Sequence, residues 1–437
     1  MGEKSFQDLA LNPAILQVTK ELYFKQPTKI QEEAIPLILA GKSIVGQSQT
    51  GSGKTHAYLL PLLNEIDDHR DEVQIVITAP TRELSMQIFE EIKTITKIAK
   101  KEEVWNSRLI VGGLDRKRMM KQLERKPKIV VGTPGRILDM INEGVLSIYT
   151  AKSFVIDEAD LMLDLRFIDK IDELLVRSKK DVQILVFSAT IPQQLQHFLK
   201  KYLSHPTHIK IENGLAPETM THRLIEKKHI DIAAKIVEIA KVIQPYVAIL
   251  FTNSKEAADE LGKSLSAKGL NVGVLHGGLT SRERKRMVKS ILDLRFEYIV
   301  ATDLASRGID IKGASHVINV ELPKEMEFYV HRVGRTARAG LEGTAISFYS
   351  EEDIPLINQL EKNGITFIYS DIKNGEWTES KRYNTRELRK NITTKLDKEA
   401  WKRVKKPKKV KPGYKKRMKK EQERIKNRLK REERRKK

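Results

Sequence analysis

The sequence predicts two tandem α/β domains with mostly parallel sheets, joined by a short hinge and followed by a basic, disordered tail. Three observations carry this reading. Short β-branched runs alternate with longer helical stretches, as expected of strands covered on both faces by crossover helices. The alternation occurs twice, in halves that repeat in rhythm but not in sequence. The charge is also segregated: the 437-residue chain has a net charge of +22, yet Lys381 to Lys437 hold 28 basic and 7 acidic residues, against 52 and 51 in the first 380. A nearly neutral body therefore carries a polycationic tail, which suits a polyanion such as nucleic acid.

In chain order, the strand runs of the first half are Ile44-Val45, Ile75 to Ile77, Ile129 to Val131, Phe154 to Ile156 and Ile184 to Phe187. Each leads into polar or glycine-containing residues and then a helical pattern, so residues 1–210 form the first domain. Glu212 to Pro217 combines helix and strand breakers and places the hinge at 211–219. The runs Val247 to Phe251, Val272 to Leu275, Tyr298 to Ala301, Val317 to Val320 and Ala345 to Phe348 build the second domain, residues 220–373. From Asn374 the pattern stops. Met418, Ile425 and Leu429 make only a thin apolar stripe, too little to offset chain entropy, so the tail over 374–437 is expected to be disordered when free. Trp377 and Trp401 could each stack on a base, and Trp377 could instead pack on the second domain.

Composition excludes several classes. Apolar residues make up 40%, enough for real cores, and cysteine is absent, which removes disulfide scaffolds, thiolate zinc sites and cysteine nucleophiles. No apolar run reaches the ~18 residues of a membrane span, and the N-terminus lacks the apolar core of a secretory signal. The expected compartment is the cytoplasm, with no membrane partner. The ten histidines show no metal-ligand spacing.

Ser48-Gln49-Thr50-Gly51-Ser52-Gly53-Lys54-Thr55 follows a short strand and opens a helix, which is phosphate-loop chemistry. Glycines let backbone N–H groups converge on phosphate oxygens; Lys54 reaches the outer phosphates and the Thr55 hydroxyl ligates magnesium. Ser48 stands where a strict phosphate loop has glycine. The strand Phe154 to Ile156 ends in Asp157-Glu158-Ala159-Asp160. Asp157 is the expected magnesium contact, partly through water, and Glu158 the group that orients and deprotonates the attacking water. Arg332, Arg335 and Arg338 cluster in the second domain. Arg335 and Arg338 share a face if helical, and arginine suits developing charge on a transferred phosphate.

These residues resemble the DEAD-box ATP-dependent RNA helicases of superfamily 2. The likeness runs from Phe6 to Tyr349 with the motifs in family order. Phe24, Pro27-Thr28 and Ile30-Gln31 resemble the Q motif, the phosphate loop motif I, Pro80 to Leu84 motif Ia, Gly112-Gly113 the GG motif and Thr133 to Arg136 motif Ib. Asp157 to Asp160 is motif II and Ser188 to Thr190 motif III. Phe251 to Ser254 resembles motif IV, Ala301 to Asp310 motifs V and Va, and His331 to Gly340 motif VI.

The resemblance implies two RecA-like domains and ATP and Mg²⁺ as cofactors. The nucleotide would be held by Phe24, Gln31, Gln49, Thr50, Gly51, Ser52, Gly53, Lys54, Thr55, Gly308 and Asp310. Catalysis would rest on Lys54, Asp157, Glu158, Arg335 and Arg338, with Ser188 and Thr190 coupling it to closure. RNA would be contacted by Thr81, Arg82, Gly113, Thr133 and Arg136 on one domain and by Ser254, Gly277, Arg284 and Thr302 on the other. The expected function is RNA-stimulated ATP hydrolysis coupled to domain closure, local duplex unwinding and remodelling of RNA–protein particles. Ribosomal particles, cold-shock proteins or RNA-decay complexes would be partners. The short N-terminus, Lys/Ile-rich composition and basic tail point to a bacterial, cold-shock type of the family. Departures are Tyr23, Ser48, Gly278, Ser281 and Ala337, where the family usually has glycine, alanine, Asp, Gln and glycine.

Overall fold

In the computed structural model of the chain, residues 5–49, 51–113, 115–203, 206–211, 219–227, 230–303, 311, 314–336, 342–382, 404, 418, 421–425 and 428 are described. They form two parallel-sheet α/β lobes. The first sheet contains β1 (Ile44–Gln47), β2 (Ile75–Thr78), β3 (Ser107–Ile110), β4 (Ile129–Gly132), β5 (Ser153–Ile156), β6 (Gln183–Ser188) and β7 (Thr207–Lys210), in the order β3-β4-β2-β5-β6-β1-β7. The second contains β8 (Met220–Glu226), β9 (Val247–Thr252), β10 (Val272–Leu275), β11 (Tyr298–Thr302), β12 (Ala314–Asn319), β13 (Gly343–Tyr349), β14 (Phe367–Lys373) and β15 (Glu376–Glu379), in the order β10-β11-β9-β12-β13-β8-β14-β15. Counted from its own first strand, each sheet begins third-fourth-second-fifth-sixth-first-seventh, so the shared rhythm of the halves is a shared topology.

The central strands are apolar because both faces are covered. Every residue of β2, β4, β5 and β9 is buried, and each large aliphatic side chain so buried contributes about 1.5–3 kcal/mol. The covering helices are amphipathic. The helix Arg82–Ile98 buries Ile88, Ile92 and Ile95 at helical spacing, and Thr81 caps it through a hydrogen bond from Leu84 N to Thr81 Oγ1.

Register brings the motifs level. Thr78 of β2 lies opposite Gly132 of β4 and Ile156 of β5, so Thr133 and Asp157 leave the sheet at one height. Gln47 of β1 lies opposite Ser188 of β6, which sets the phosphate loop beside motif III. The site thus sits at the C-terminal ends of the strands, where open parallel sheets bind ligands.

The structure moves one boundary. The tail expected from Asn374 begins later, because Asn374 and Gly375 form a tight turn, φ 53° and 80°, between β14 and β15. Positive φ at both central residues is what an Asn-Gly hairpin turn requires. Trp377 on β15 packs against the second-lobe core, with the Arg223 guanidinium 4.5 Å from its ring centre. Of the tail, residues 418, 421–425 and 428 are helical, including Met418 and Ile425. Trp401, Leu429 and hinge residues 212–218 lie outside the described residues.

Candidate nucleotide site and nucleic-acid interface

The phosphate loop connects β1 to the helix Lys54–Asn64. Gly51 and Gly53 take φ of 82° and 91°, and a Cβ on Gly53 would sit 2.6 Å from Gln31 Nε2, so only glycine fits there. Gln31 is buried and bridges two motifs: its Nε2 donates to Gly53 O at 3.1 Å, and its Oε1 accepts from Thr28 N at 2.9 Å. Phe24 stacks on Phe6 at 6.1 Å and meets the edge of His56 at 4.9 Å. Ser52 Oγ donates to Gln49 O at 2.8 Å, which leaves the Ser48 hydroxyl to donate to Ser52 Oγ at 2.8 Å. Thr50 lies outside the described residues.

Lys54 is 8% exposed and donates to Ser48 O at 2.6 Å. Burial lowers its pKa, opposed by the charges of Asp157, Glu158 and Asp160. Asp157 is buried, and desolvation together with the neighbouring Glu158 carboxylate pushes it up to about 6, against the pull of Lys54 and a bond from Tyr58. Glu158 stands at φ 46°, a left-handed conformation uncommon for a side chain of its size. Asp160 Oδ2 accepts from Thr190 N at 2.9 Å and Thr190 Oγ1 at 3.0 Å, and Asp160 N donates to Ser188 Oγ at 3.0 Å. Motifs II and III are thus one hydrogen-bonded unit.

Motif VI closes this site from the second lobe. His331 Nε2 lies 3.3 Å from Asp160 Oδ2. Burial alone would raise the Asp160 pKa, but His331, Lys54 and Thr190 together hold it well below the usual carboxylate range. Arg335 is buried, its Nε donates to His331 O at 3.3 Å, and its charge is felt by Lys54 across the cleft. Arg338, Gly308 and Asp310 lie outside the described residues.

The residues assigned to RNA gather on a second edge. Thr81, Gly113 and Thr133 follow β2, β3 and β4, which are adjacent in the first sheet. The Arg82 guanidinium packs over Gly112, where a Cβ would meet it at 2.8 Å, and Arg136 Nη1 donates to Asp139 Oδ2 at 3.1 Å. Ser254, Gly277 and Thr302 end or follow β9, β10 and β11, the corresponding adjacent strands of the second sheet. Behind Gly277, His276 accepts from Gly278 N at 3.0 Å through Nδ1, so Nε2 carries the proton that bonds Asp259 at 2.9 Å. Arg284 pairs with Glu83 of motif Ia in the first lobe.

Nothing local in the sequence singles out Tyr58 or Glu83. Glu83 lies inside motif Ia, but its partner is 201 positions away.

Residues 28–198 match the DEAD/DEAH box helicase family, and residues 228–340 match the helicase conserved C-terminal domain. A DEAD-box ATP-dependent RNA helicase CshB from Bacillus subtilis (strain 168) is 49% identical over 419 residues, covering 96% of this chain and 95% of the relative. The chain belongs to the DEAD-box ATP-dependent RNA helicases. Another relative, CshB of Staphylococcus aureus (strain NCTC 8325 / PS 47), is 41% identical over 390 residues, 89% of this chain and 86% of its own. Among solved structures, S. cerevisiae Dbp5 bound to RNA and ADP BeF3 superposes with a TM-score of 0.76 at 30% identity, covering 84% of this chain and 95% of that one. Mss116p bound to ssRNA and AMP-PNP gives a TM-score of 0.76 at 26% identity, covering 92% and 85%. The helicase is therefore an enzyme with two RecA-like lobes. Among its described residues no helix is long and apolar enough to cross a membrane.

Proposed function

We propose that the helicase hydrolyses ATP when RNA closes its two lobes, and that closure separates short RNA duplexes and remodels RNA–protein particles. The observation that carries this reading is the approach of motif VI to motif II, with His331 3.3 Å from Asp160 and Arg335 within electrostatic reach of Lys54. Half of the hydrolytic site comes from each lobe, so a ligand that bridges the lobes favours closure, and a second ligand that also bridges them binds cooperatively with the first.

The residues fit ATP and magnesium. Lys54 supplies a buried cation for phosphate oxygens. The Asp157 carboxylate, crowded by Glu158, gains from a nearby cation. Magnesium takes one or two carboxylates plus phosphate oxygens, and Asp157 with the Thr55 hydroxyl supplies such a set. Bound there, it would neutralise phosphate charge. Gln31 and Phe24 hold the base. Glu158 orients and deprotonates the attacking water. Arg335 and Arg338 stabilise the charge that develops on the transferred phosphate, a role worth ~10³–10⁵ in rate where an arginine is supplied across an interface. Gly308 and Asp310 complete the nucleotide site.

Thr81, Arg82, Gly113, Thr133 and Arg136 hold one stretch of RNA backbone, and Ser254, Gly277 and Thr302 the next. Arg284, paired with Glu83 at the lobe boundary, joins RNA binding to closure. The basic tail adds affinity through phosphate neutralisation and counterion release.

The test is steady-state ATP hydrolysis by the full chain with single-stranded RNA, matched DNA, or neither. RNA alone should stimulate, and Glu158→Gln should lower the stimulated rate by at least ~100-fold while nucleotide binding persists. Equal stimulation by DNA would overturn the RNA specificity, and indifference to both would overturn the closure mechanism. Truncation after Ser380 should weaken RNA binding and flatten its dependence on salt, leaving hydrolysis at saturating RNA unchanged. Equal salt slopes for both chains would remove the tail from RNA binding.

A further inference from the structure

Tyr58 lies outside the sequence motifs assigned above, yet it touches the acidic centre. It sits four residues after Lys54 on the helix Lys54–Asn64, so the two side chains share a face. Its ring is 0% exposed and packs against Phe187, with ring centres 5.3 Å apart. Packing alone would be served by phenylalanine. The tyrosine adds a hydroxyl in the core of the lobe, where an unpaired polar group is costly. That hydroxyl donates to Asp157 Oδ2 at 2.9 Å. The other carboxylate oxygen, Oδ1, accepts from Glu158 N at 2.9 Å.

The second bond changes what Asp157 can do. An aspartate turns readily about its last torsion, and a single bond to the next residue's N–H leaves it one anchored oxygen. With the Tyr58 hydroxyl on the other oxygen, the carboxylate plane is fixed. The bond also spans two elements: Asp157 follows β5, whereas Tyr58 lies one turn beyond Lys54 and Thr55. The hydroxyl therefore sets the spacing between the phosphate-loop helix and the end of the acidic strand.

We propose that Tyr58 is a positioning residue that fixes the Asp157 carboxylate and so determines how strongly Mg²⁺ tightens nucleotide binding. This rests on the magnesium role assigned to Asp157 above. Each oxygen keeps acceptor capacity beside its one hydrogen bond, so the fixed carboxylate would offer lone pairs to the cation or to water that the cation holds. The Tyr58 hydroxyl also shares a hydrogen bond with the Thr55 hydroxyl, the other expected magnesium contact, whereas Lys54 and the described residues of the base pocket make no bond to it, so loss of the hydroxyl should matter chiefly when magnesium is bound.

The experiment measures binding of a fluorescent ADP analogue to the full chain, in excess Mg²⁺ and in EDTA, for the wild type and Tyr58→Phe. In the wild type Mg²⁺ tightens binding. In Tyr58→Phe, affinity in EDTA should stay within about twofold, while the tightening by Mg²⁺ should fall about five- to tenfold, the size of one net hydrogen bond. In an Asp157→Asn background, Tyr58→Phe should change neither value. The same tightening in Tyr58→Phe as in the wild type overturns the proposal. So does an equal loss of affinity in EDTA and in Mg²⁺, which would make Tyr58 a packing residue only. If the wild type itself shows no tightening, the magnesium role of Asp157 fails first and the positioning role falls with it.

Discussion

Lys54 in the first lobe and Arg332 in the second are both buried cations near the C-terminal ends of parallel strands. Lys54 makes one hydrogen bond to protein among the described residues, to Ser48 O, and otherwise feels three carboxylates at a distance. Arg332 places all five of its N–H donors. Its Nε and one Nη2 hydrogen reach the two oxygens of Asp303 at 2.6 and 2.7 Å, and the other Nη2 hydrogen reaches Asn253 Oδ1 at 2.8 Å. Its Nη1 donates to Glu321 O at 2.6 Å and Asn319 Oδ1 at 3.3 Å. Phe251 covers the guanidinium, 5.1 Å from its ring centre. Two sheets of one topology thus use buried positive charge differently. The second lobe satisfies its arginine with its own acceptors, which joins motifs IV, V and VI into one block. The first lobe keeps donor capacity beside concentrated acid, where a phosphate can take it up.

The largest test of this contrast is on folding stability. Arg332→Met should destabilise the helicase by about 3–5 kcal/mol, because it removes the buried cation whose five hydrogen bonds tie Asp303, Asn253, Asn319 and Glu321 together. Lys54→Met should leave stability unchanged or raise it. The pKa of Lys54 is lowered on folding, so burial of its charge costs more than its acidic neighbours return. Urea denaturation of both variants checks this, and similar losses in the two would show that Lys54 is as much a structural cation as Arg332.

The contrast also explains what the sequence disclosed. Phosphate-loop and acidic residues are legible because each motif is continuous in the chain and sits at a strand end. The buried runs that became β2, β4, β5, β9 and β11 are legible for the same local reason. Arg332 was visible only as one basic residue among three, since its acceptors come from residues 253, 303, 319 and 321. Strands β3 and β7 escaped notice because they are sheet edges with mixed burial. β15 lies beyond Asn374, where the apolar pattern stops, although an Asn-Gly pair between strands is a hairpin signal. β8 is interior, between β13 and β14, yet reads Met-Thr-His-Arg-Leu-Ile-Glu. Nothing local shows that His222 is buried, because the groups that bury it are Tyr329 and Phe367.

His222 gives a smaller and more selective test. It is 5% exposed, with Nδ1 2.9 Å from the Tyr329 hydroxyl and the edge of Phe367 against its ring, centres 5.9 Å apart. Desolvation lowers its pKa to about 4, below the ~6.5 of an unfolded histidine. The folded state therefore prefers the neutral ring. The stability that depends on neutrality is complete above pH ~6.5 and is lost as pH falls towards about 4, by about 3 kcal/mol at most. Carboxylates elsewhere also titrate in this range, but they do so equally in a variant that changes only this residue. His222→Gln keeps an acceptor for Tyr329 and removes the titration. Its stability relative to the wild type should therefore rise between pH 7 and pH 4.5 in urea melts, whatever its value at pH 7. A difference independent of pH would mean that the ring gains a proton without loosening its surroundings, and that the second lobe tolerates a new buried charge as readily as the first lobe holds Lys54.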